Sequence, residues 1–430
     1  MKKKLPLHIK ILLGMVLGLL WGLLAINLGW VDFTKDYISP LGKIFMNLLK
    51  LIAIPMIVSS IVTGIASLND IGSLGRIGGR TIGIFLSTTV FAITIGLVLV
   101  NVFQPGKALS EEVRNKLMSA NSEAGQVALS TADQVKERPV LAPLVDLFPS
   151  NIISTASDNT NMLQIVIISV IFGIAVVMIN KEKSQPFIRF MDSVNEIVMK
   201  VVDLIMLIAP VAVFALLADV IIKLAGDNPE LILEVLTALG AYMLVVLAAL
   251  LLHMVLVYLG IVKFIVKRSP WWFLKKMRPV QLLAFSTSSS NATLPVNMEN
   301  CEKELGVKEE ITGFVLPLGA TINMDGTSCY QAVAAVFIAQ VFGMDLNLLQ
   351  QLTIILTALL SSVGSAGVPG AGVVMLVIVL KSVGVPTEGV ALILGVDRIL
   401  DMCRTAVNVT GDAAVCCAVA KMENKLETVN

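Results

Sequence analysis

Residues that bind metals or act as general bases are scarce in this chain of 430 residues. It has two histidines and five cysteines, and each cysteine lies in or beside an apolar segment without the spacing of a metal site. This pattern argues against a zinc site and against a disulfide framework. The two histidines are His8 and His253. An enzyme with a serine nucleophile needs a neighbouring base, so this scarcity of histidine argues against such an enzyme.

Charged residues are scarce as well, at 15% of the chain against 56% hydrophobic residues. The mean hydropathy is +0.86. Such a composition is typical of a protein that crosses a membrane several times. The basic start, MKKKLPLHIK, precedes an apolar run at residues 11–28. Since no small-residue cleavage site follows, we interpret this run as a retained first helix and not as a signal peptide.

Five further apolar runs are long enough to cross a bilayer. They lie at residues 44–66, 81–103, 162–180, 194–224 and 232–265. If these spans alternate in direction, the basic residues gather on one side, which predicts that both termini are cytoplasmic. The polar stretch at residues 105–150 is then an external loop. His253 falls within the last of these runs, where we interpret it as a packed helix residue.

The apolar segments after Arg278 are interrupted by small and polar residues. The interruptions read STSSSNATLP at residues 286–295, TINMDGT at 321–327 and SSVGSAGVPGAG at 361–372. The apolar pieces beside them are about ten residues long, too short to span a membrane alone. This favours re-entrant hairpins and a broken helix whose free backbone faces a polar site, the pattern of a transporter binding site. A plain helix-packing role for the glycine- and serine-rich breaks is the alternative.

An apolar helix that carries charges follows at residues 397–412. Five of its sixteen residues are charged, and each would cost roughly 2.5–3.5 kcal/mol at the centre of a bilayer. At about 100° per residue, however, its polar residues share one face. They are Asp397, Asp401, Arg404, Thr405, Asn408 and Asp412. We expect this face to line a cavity for a zwitterionic or anionic solute together with cations; a structural stripe of salt bridges is the alternative.

The breaks indicate what such a cavity would bind. The tip at Ser288, Ser289, Ser290 and Asn291 offers hydroxyl, amide and helix N-terminal donors, which favour carboxylates. The TINMDGT break combines free carbonyl groups with side-chain oxygens, a ligand set that suits sodium.

Two sodium cages can be drawn from these oxygens. Asp412 and Asn408 would complete one cage at the break. Thr88 and Thr89, together with Asp325, would form another. Two threonines in an apolar helix do not by themselves indicate an ion site, so a structural role for Thr88 and Thr89 stays open.

Four motifs make the chain recognisable: LGKIFMNLLKLIAIP at residues 41–55, NMDGT at 323–327, SAGVPGAG at 365–372 and DMCRTAVNVTGD at 401–412. They resemble the dicarboxylate/amino acid:cation symporter family, which comprises the excitatory amino acid transporters and their prokaryotic homologues. The likeness covers nearly the whole chain and is strongest to archaeal and bacterial sodium-coupled aspartate or glutamate transporters.

The resemblance implies an all-α polytopic membrane protein with eight transmembrane helices, two re-entrant helical hairpins and inverted repeats. It implies a homotrimer in the cell membrane, in contact with lipid and without a nucleic-acid partner. Residues 1–80 and 151–231 would form a fixed scaffold, and residues 81–104 and 232–430 a transport domain that moves as an elevator. The chain would be a secondary active symporter that carries L-aspartate or L-glutamate into the cell with sodium ions.

Motif by motif, the resemblance also implies site residues. Arg404 would hold the substrate's side-chain carboxylate, Asp401 its amino group, and residues 367–372 would form a lid. The implied substrate-binding residues are Ser289, Ser290, Asn291, Thr327, Val368, Pro369, Gly370, Ala371, Gly372, Asp401, Arg404, Thr405 and Asn408. The implied sodium ligands are Phe85, Thr88, Thr89, Gly319, Thr321, Asn323, Asp325, Ser362, Val363, Ser365, Asn408 and Asp412.

The chain departs from the family pattern at several positions. An arginine that the family carries at one of two places is absent from both, since Ser288 and Met402 stand there, and Arg398 lies at the edge of the polar face. Phe85 replaces a tyrosine near one sodium site. Gln331 replaces a glutamate that animal members use in proton coupling, and a neutral side chain there favours coupling to sodium alone.

Several alternatives remain. Within the family, the chain would be a proton-coupled glutamate carrier or a C4-dicarboxylate carrier, although Asp401 favours an amino acid and Arg404 an acidic one. A channel is disfavoured by fixed charges of both signs at a central site. An intramembrane enzyme using Ser289 or Ser290 as nucleophile is the alternative from another functional class.

Overall fold

The computed structural model describes residues 7–67, 75–110, 148–157, 162–225, 230–362 and 370–427. Within these residues the chain is helical, and its one element of β pairing is an isolated antiparallel bridge between Val307 and Leu426. The all-α prediction is therefore confirmed for the described part of the chain. Residues 363–369, which include the first part of the predicted lid at residues 367–372, and most of the external loop lie outside the described residues.

The longer helices among the described residues follow one another along the chain. They are α1 (Leu7–Asn27), α2 (Ser39–Ser67), α3 (Gly75–Phe103), α4 (Met162–Met178), α5 (Lys181–Ala225), α6 (Glu230–His253), α7 (Pro270–Thr287), α8 (Ser290–Lys303), α9 (Glu309–Ile322), α10 (Asp325–Val341), α11 (Leu348–Ser362), α12 (Ala371–Ser382) and α13 (Val390–Met422). Short helical turns precede α2, follow α3 and lead into α13, and a short helix (Ile152–Ser157) precedes α4.

Four helices among the described residues are long and apolar enough to cross a membrane. They cover Ile9–Asn27, Arg76–Ala108, Lys181–Ile222 and Leu233–Val266. The count of eight transmembrane helices stays a prediction. The third of these helices begins well before the predicted residue 194, because hydropathy marks only the apolar part of a helix and its polar first turns continue the same backbone.

The helices pack in two groups. In the first group, α5 packs along both α1 and α2, and α4 packs against α2. In the second group, α10 and α13 lie at the centre, with α3, α6, α9 and α12 packed around them. The whole of α10 is buried, so a helix that carries polar residues near its start lies inside protein and not against lipid.

Helix interruptions occur where the sequence predicts them. Helix α7 ends at Thr287, and Ser288 takes a left-handed backbone conformation with φ of 50°. Ser289 then begins α8, its hydroxyl accepting a hydrogen bond from the Ala292 amide at 3.2 Å, as a helix N-cap does. Helices α9 and α10 are separated at residues 323–324.

An ion-pair cluster joins the end of α13 to the start of α3. Glu423 accepts hydrogen bonds from Arg76 at 2.7 Å and from Arg80 at 2.5 Å. The hydrogen bond from Arg76 is the largest cause that lowers the pKa of the Glu423 carboxyl, and the positive charges of both arginines add to it. The cluster fixes two helices that both contribute site residues.

Candidate substrate and cation site

The polar face of α13 is buried inside the second helix group. Asp397, Asp401, Arg404, Asn408 and Asp412 are each at most 6% exposed. The other α13 residues pack against neighbouring helices. Because the helix is surrounded by protein, its row of charged and polar residues does not face lipid. Along about four turns, one buried face of the helix thus carries charges of both signs.

Arg404 lies at the centre of this row and is fully buried. Its Nη2 atom donates to Asp401 Oδ1 at 2.8 Å and lies 3.3 Å from Asp397 Oδ1. The guanidinium carbon lies 3.8 Å from the ring centre of Tyr330, a cation–π contact that holds the plane of the group. Arg404 Nε and Nη1 have no hydrogen-bond partner among the described residues, so the N–H groups of both nitrogens remain available to a ligand.

Asp401 lies between two arginines. Its Oδ2 atom is 3.4 Å from Arg398 Nη1 and 3.4 Å from the Gly370 amide, and its Oδ1 atom pairs with Arg404. Arg398 is itself buried, at 8% exposure. By its helical angle Arg398 lies at the edge of the polar face, but its long side chain turns inward, so that the row contains a second guanidinium.

Asn408 joins α13 to the break before α10. Its Oδ1 atom accepts a hydrogen bond from the Gly326 amide at 2.7 Å, and its Nδ2 atom lies 3.4 Å from the Thr327 hydroxyl. A Cβ on residue 326 would lie 2.7 Å from the Arg404 carbonyl oxygen, so only glycine allows this approach. The structure thus brings Thr327 into contact with Asn408 and the Gly326 backbone against that of Arg404.

The serine-rich tip contributes three buried serine side chains. Ser289 and Ser290 are buried, whereas Asn291 is exposed. The Thr405 hydroxyl donates to the Asp401 carbonyl oxygen at 2.8 Å, so it serves the helix backbone. The Ser288 hydroxyl is buried without a hydrogen-bond partner in the described part of the chain.

The start of α12 runs against the arginine. A Cβ on Gly372 would lie 3.1 Å from Arg404 Nη1, and Ala371 beside it is buried. Gly370 has a φ of 86°, and a Cβ there would lie 3.0 Å from Met206 Sδ on α5. Val368 and Pro369 lie outside the described residues.

One set of oxygens suitable for a hard cation lies around Asp412. Asn323 donates from Nδ2 to Asp412 Oδ1 at 2.8 Å, while Asn323 Oδ1 is buried and has no partner among the described residues. A Cβ on Gly319 would lie 2.6 Å from Asp412 Oδ1, so the carboxylate touches the backbone of α9. A buried carboxylate, an unpaired amide oxygen and a nearby helix C-terminus fit sodium.

A second set surrounds Asp325, which is completely buried. Thr89 donates to Asp325 Oδ1 at 2.5 Å. The Phe85 carbonyl accepts hydrogen bonds from the hydroxyls of Thr88 and Thr89. Since a carbonyl oxygen is what position 85 offers, the change from tyrosine to Phe85 removes no oxygen from the backbone.

Two donors on Asp325 are absent from the sequence prediction. His253 Nε2 lies 3.2 Å from Asp325 Oδ2, and the Tyr258 hydroxyl donates to the same oxygen at 2.8 Å. His253 is therefore more than a packed helix residue. Its contact joins α6 to α10 across more than seventy positions of sequence, a distance at which no local pattern could have indicated it.

The remaining predicted sodium ligands are less clearly placed. The Thr321 hydroxyl donates to the Leu318 carbonyl at 2.9 Å, and the Ser362 hydroxyl donates to the Leu359 carbonyl at 2.7 Å. Both side chains are thus engaged with their own helices. Val363 and Ser365 lie outside the described residues, so the further sodium site that the resemblance implies at Thr321, Ser362, Val363 and Ser365 stays a prediction.

Gln331 lies where the family pattern has a glutamate. Its side-chain nitrogen is 3.5 Å from the Gly372 carbonyl oxygen, and the residue is 1% exposed. The Gln331 amide joins α10 to α12 and, unlike a glutamate, does not bind or release a proton.

Comparison with known proteins gives one family and many relatives. The model of the sodium:dicarboxylate symporter family matches residues 7–422. The chain is 37% identical over 423 residues to the proton/sodium-glutamate symport protein of Bacillus caldotenax, covering 98% of this chain and 96% of that protein. It is 37% identical over 429 residues to the proton/glutamate-aspartate symporter of Escherichia coli (strain K12), covering 99% and 94%. It is 36% identical over 452 residues to the human excitatory amino acid transporter 3, covering 96% and 84%.

Proposed function

The chain belongs to the sodium:dicarboxylate symporter family, and on that premise we propose that it carries L-aspartate or L-glutamate into the cell together with sodium ions. The relatives described above are named as symporters and transporters, so the protein is a transporter and not an intramembrane serine enzyme. It is an integral membrane protein, and we propose the cell membrane as its location, with both termini in the cytoplasm.

The buried guanidinium of Arg404 is the observation that carries this proposal. Two of its nitrogens, Nε and Nη1, have no protein partner among the described residues, while Nη2 is paired with Asp401. A planar guanidinium binds a carboxylate with two parallel hydrogen bonds, which here would come from Nη2, once Asp401 releases it, together with Nε or Nη1. A buried fork of this kind selects a solute with a second carboxylate, which separates aspartate and glutamate from neutral amino acids.

The neighbouring groups suit the rest of an amino acid. Asp401 would accept hydrogen bonds from the substrate ammonium. Asn408, Thr327 and Ser290 would donate to its α-carboxylate. In such a complex the pair between Arg404 and Asp401 gives way to two pairs with the substrate, so that no buried charge is left unpaired.

Sodium would bind at the two oxygen sets. The first set contains Asp412, the unpaired oxygen of Asn323 and the backbone near Gly319. The second contains Asp325 and Thr89. Sodium supplies positive charge that offsets the buried carboxylates, which makes binding of an anionic substrate more favourable once the cations are present.

We further propose that the second helix group moves against the first as an elevator, within a homotrimer. Helix α5 packs mainly with α1 and α2, and α1 and α5 also contact α13, where the two groups meet. A cavity of about 20 Å³, with room for about one water molecule, lies between the two groups beside Asp397 and Asp401. Interfaces with such voids and polar residues permit sliding more readily than a continuous apolar core.

Proton coupling is the second candidate, because two of the relatives are named proton/sodium and proton/glutamate-aspartate symporters. Gln331 disfavours proton coupling, since a side-chain amide does not bind or release a proton as a carboxylate does. The two candidates differ in a single requirement, the ion whose gradient drives uptake.

Uptake into liposomes that contain the purified protein tests the proposal. Labelled aspartate should accumulate with an inward sodium gradient and no pH gradient, and unlabelled glutamate should compete better than serine or succinate. Full accumulation driven by an inward proton gradient in sodium-free buffer would contradict sodium coupling. Preferential transport of succinate would contradict an amino acid substrate.

A further inference from the structure

Helix α6 changes its winding where it passes the site. After His253 the chain continues as a π-helical segment, Met254–Tyr258. In an ordinary α-helix two residues five positions apart point about 140° away from each other. In a π-helix, where hydrogen bonds join residues five apart, they lie on the same side. The π segment therefore brings His253 and Tyr258 onto one face.

Both side chains on this face reach one carboxylate oxygen. His253 Nε2 lies 3.2 Å from Asp325 Oδ2, and the Tyr258 hydroxyl lies 2.8 Å from it. The two rings meet edge to face, with centroids 4.6 Å apart. All three side chains are completely buried. Single-turn π segments inside α-helices occur often at functional sites.

The backbone of α13 closes this arrangement from the other side. The Tyr258 ring lies so close to Gly411 that a Cβ there would overlap it. Gly411 is next to Asp412, the carboxylate of the first oxygen set. Tyr258 thus lies between the two proposed sodium sites, with its ring packed against the backbone of α13.

We infer that His253 and Tyr258 position the Asp325 carboxylate for sodium. Two hydrogen bonds hold Oδ2 towards α6, which directs Oδ1 towards Thr89 on α3. This inference rests on the proposed function, because it assigns the carboxylate to a sodium site. A cation at Oδ1 meets a carboxylate whose orientation is already fixed, so binding requires less rearrangement.

Removal of a hydrogen-bond partner of a metal ligand typically lowers metal affinity about 10- to 100-fold. We therefore expect His253→Ala to raise the sodium concentration that gives half-maximal aspartate uptake by roughly tenfold or more. His253→Gln keeps an N–H donor close to the position of Nε2 and should stay near the wild type. Tyr258→Phe keeps the ring and the packing against Gly411, and should give a smaller rise.

The alternative is that the three side chains only hold α6 against α10. In that case the variants lower the amount of folded protein and the maximal rate, and added sodium does not restore uptake. Positioning predicts instead that uptake at saturating sodium returns to the wild-type rate, with an unchanged half-saturating aspartate concentration. The His253→Gln variant separates two roles of His253. Glutamine can replace an imidazole that donates a hydrogen bond to Asp325, but it cannot replace an imidazole that binds and releases a proton.

The experiment measures sodium titrations of aspartate uptake in liposomes, with purified full-length variants. The rise in melting temperature on addition of sodium chloride instead of choline chloride provides a readout that does not depend on transport. Leu252→Ala, on the partly exposed side of α6, and Tyr37→Phe, which makes the same chemical change at an exposed tyrosine, are the matched controls. Both controls should titrate like the wild type.

The outcomes separate the inference from the proposed function. Sodium-independent uptake by the wild type would refute the proposed function and this inference with it. A sodium-dependent wild type with an unshifted His253→Ala curve would overturn the inference alone, as would equal losses in His253→Ala and His253→Gln. If His253→Ala does not fold, an unshifted Tyr258→Phe curve decides against the inference.

Discussion

Arg404 and Asp401 form an ion pair within a single helix, the Nη2 atom donating to Oδ1 at 2.8 Å. Their spacing of three residues places them on the same face of α13. The groups that would bind a substrate's carboxylate and ammonium therefore neutralise each other inside the protein. A dipolar substrate with an extra carboxylate can replace this pair without leaving either charge alone.

Arg404→Cys should change the substrate preference. The side-chain carboxylate of aspartate would be buried without a partner, at a cost of about 2–5 kcal/mol. At about 1.4 kcal/mol per factor of ten, aspartate affinity should fall roughly thirty- to several-thousand-fold. Serine has no second carboxylate and should be transported at least as well as aspartate. Competition by serine and aspartate against labelled substrate measures the change, and aspartate affinity within about threefold of the wild type would show that Arg404 is not the selecting group.

Asp401→Asn should impair every amino acid substrate. The amide cannot neutralise the substrate ammonium that aspartate, glutamate and serine share, so all three should lose affinity together. The variant also leaves Arg398 and Arg404 without one partner. The same competition assay measures this. Selective loss of acidic substrates alone would place the ammonium elsewhere.

Asp412→Asn should weaken sodium binding more than folding. The amide can still accept the hydrogen bond from Asn323, which now measures 2.8 Å to the carboxylate, but it no longer offers a negative charge to a cation. The sodium concentration for half-maximal uptake should rise, and the melting temperature in choline chloride should change little. A variant that keeps the wild-type sodium titration would remove Asp412 from the cation site.

Gly372→Ala should reduce aspartate affinity through sterics. Its Cβ would lie 3.1 Å from Arg404 Nη1, so the guanidinium or the start of α12 must shift by a few tenths of an ångström. Gly313→Ala on α9 is the matched control, because a Cβ there meets nothing within 4 Å. We expect a raised half-saturating aspartate concentration for the first variant only. Equal behaviour of the two variants would place the substrate away from this face of α12.

The elevator proposal predicts that a covalent link between α1 and α13 stops transport. A Cβ on residue 395 would lie 3.1 Å from Met15 Cγ, the position that a cysteine sulfur at residue 15 would occupy, which is within the reach of a disulfide. Met15→Cys combined with Gly395→Cys should lose uptake on oxidation and regain it on reduction. Each single variant serves as control. Undiminished uptake by the fully cross-linked protein would rule out motion between these helices.

The sequence predicts the helical class and the position of the site because both depend on local patterns. The polar row of α13 repeats with the period of a helix, and the breaks at Ser288 and at residues 323–324 are marked by small and polar residues within apolar segments. These signals need no knowledge of tertiary contacts. They therefore identify Asp401, Arg404 and Asn408 together.

The sequence does not indicate contacts that depend on unusual helix winding or on long side chains. The π segment of α6 brings His253 and Tyr258 together, although the regular helical period separates them. Arg398 lies off the polar face by angle, yet its side chain is long enough to reach Asp401. Helix α5 also begins at Lys181, before the apolar run at residues 194–224, because its first turns are polar.

The sodium dependence of aspartate binding to the purified protein tests the central claim most directly. Isothermal titration with aspartate would be made at a series of sodium chloride concentrations, with choline chloride keeping the ionic strength constant. If at least one sodium ion binds with the substrate, the dissociation constant should fall by about tenfold or more for each tenfold rise in sodium below saturation. An aspartate affinity that is equal in sodium and in choline would contradict the account.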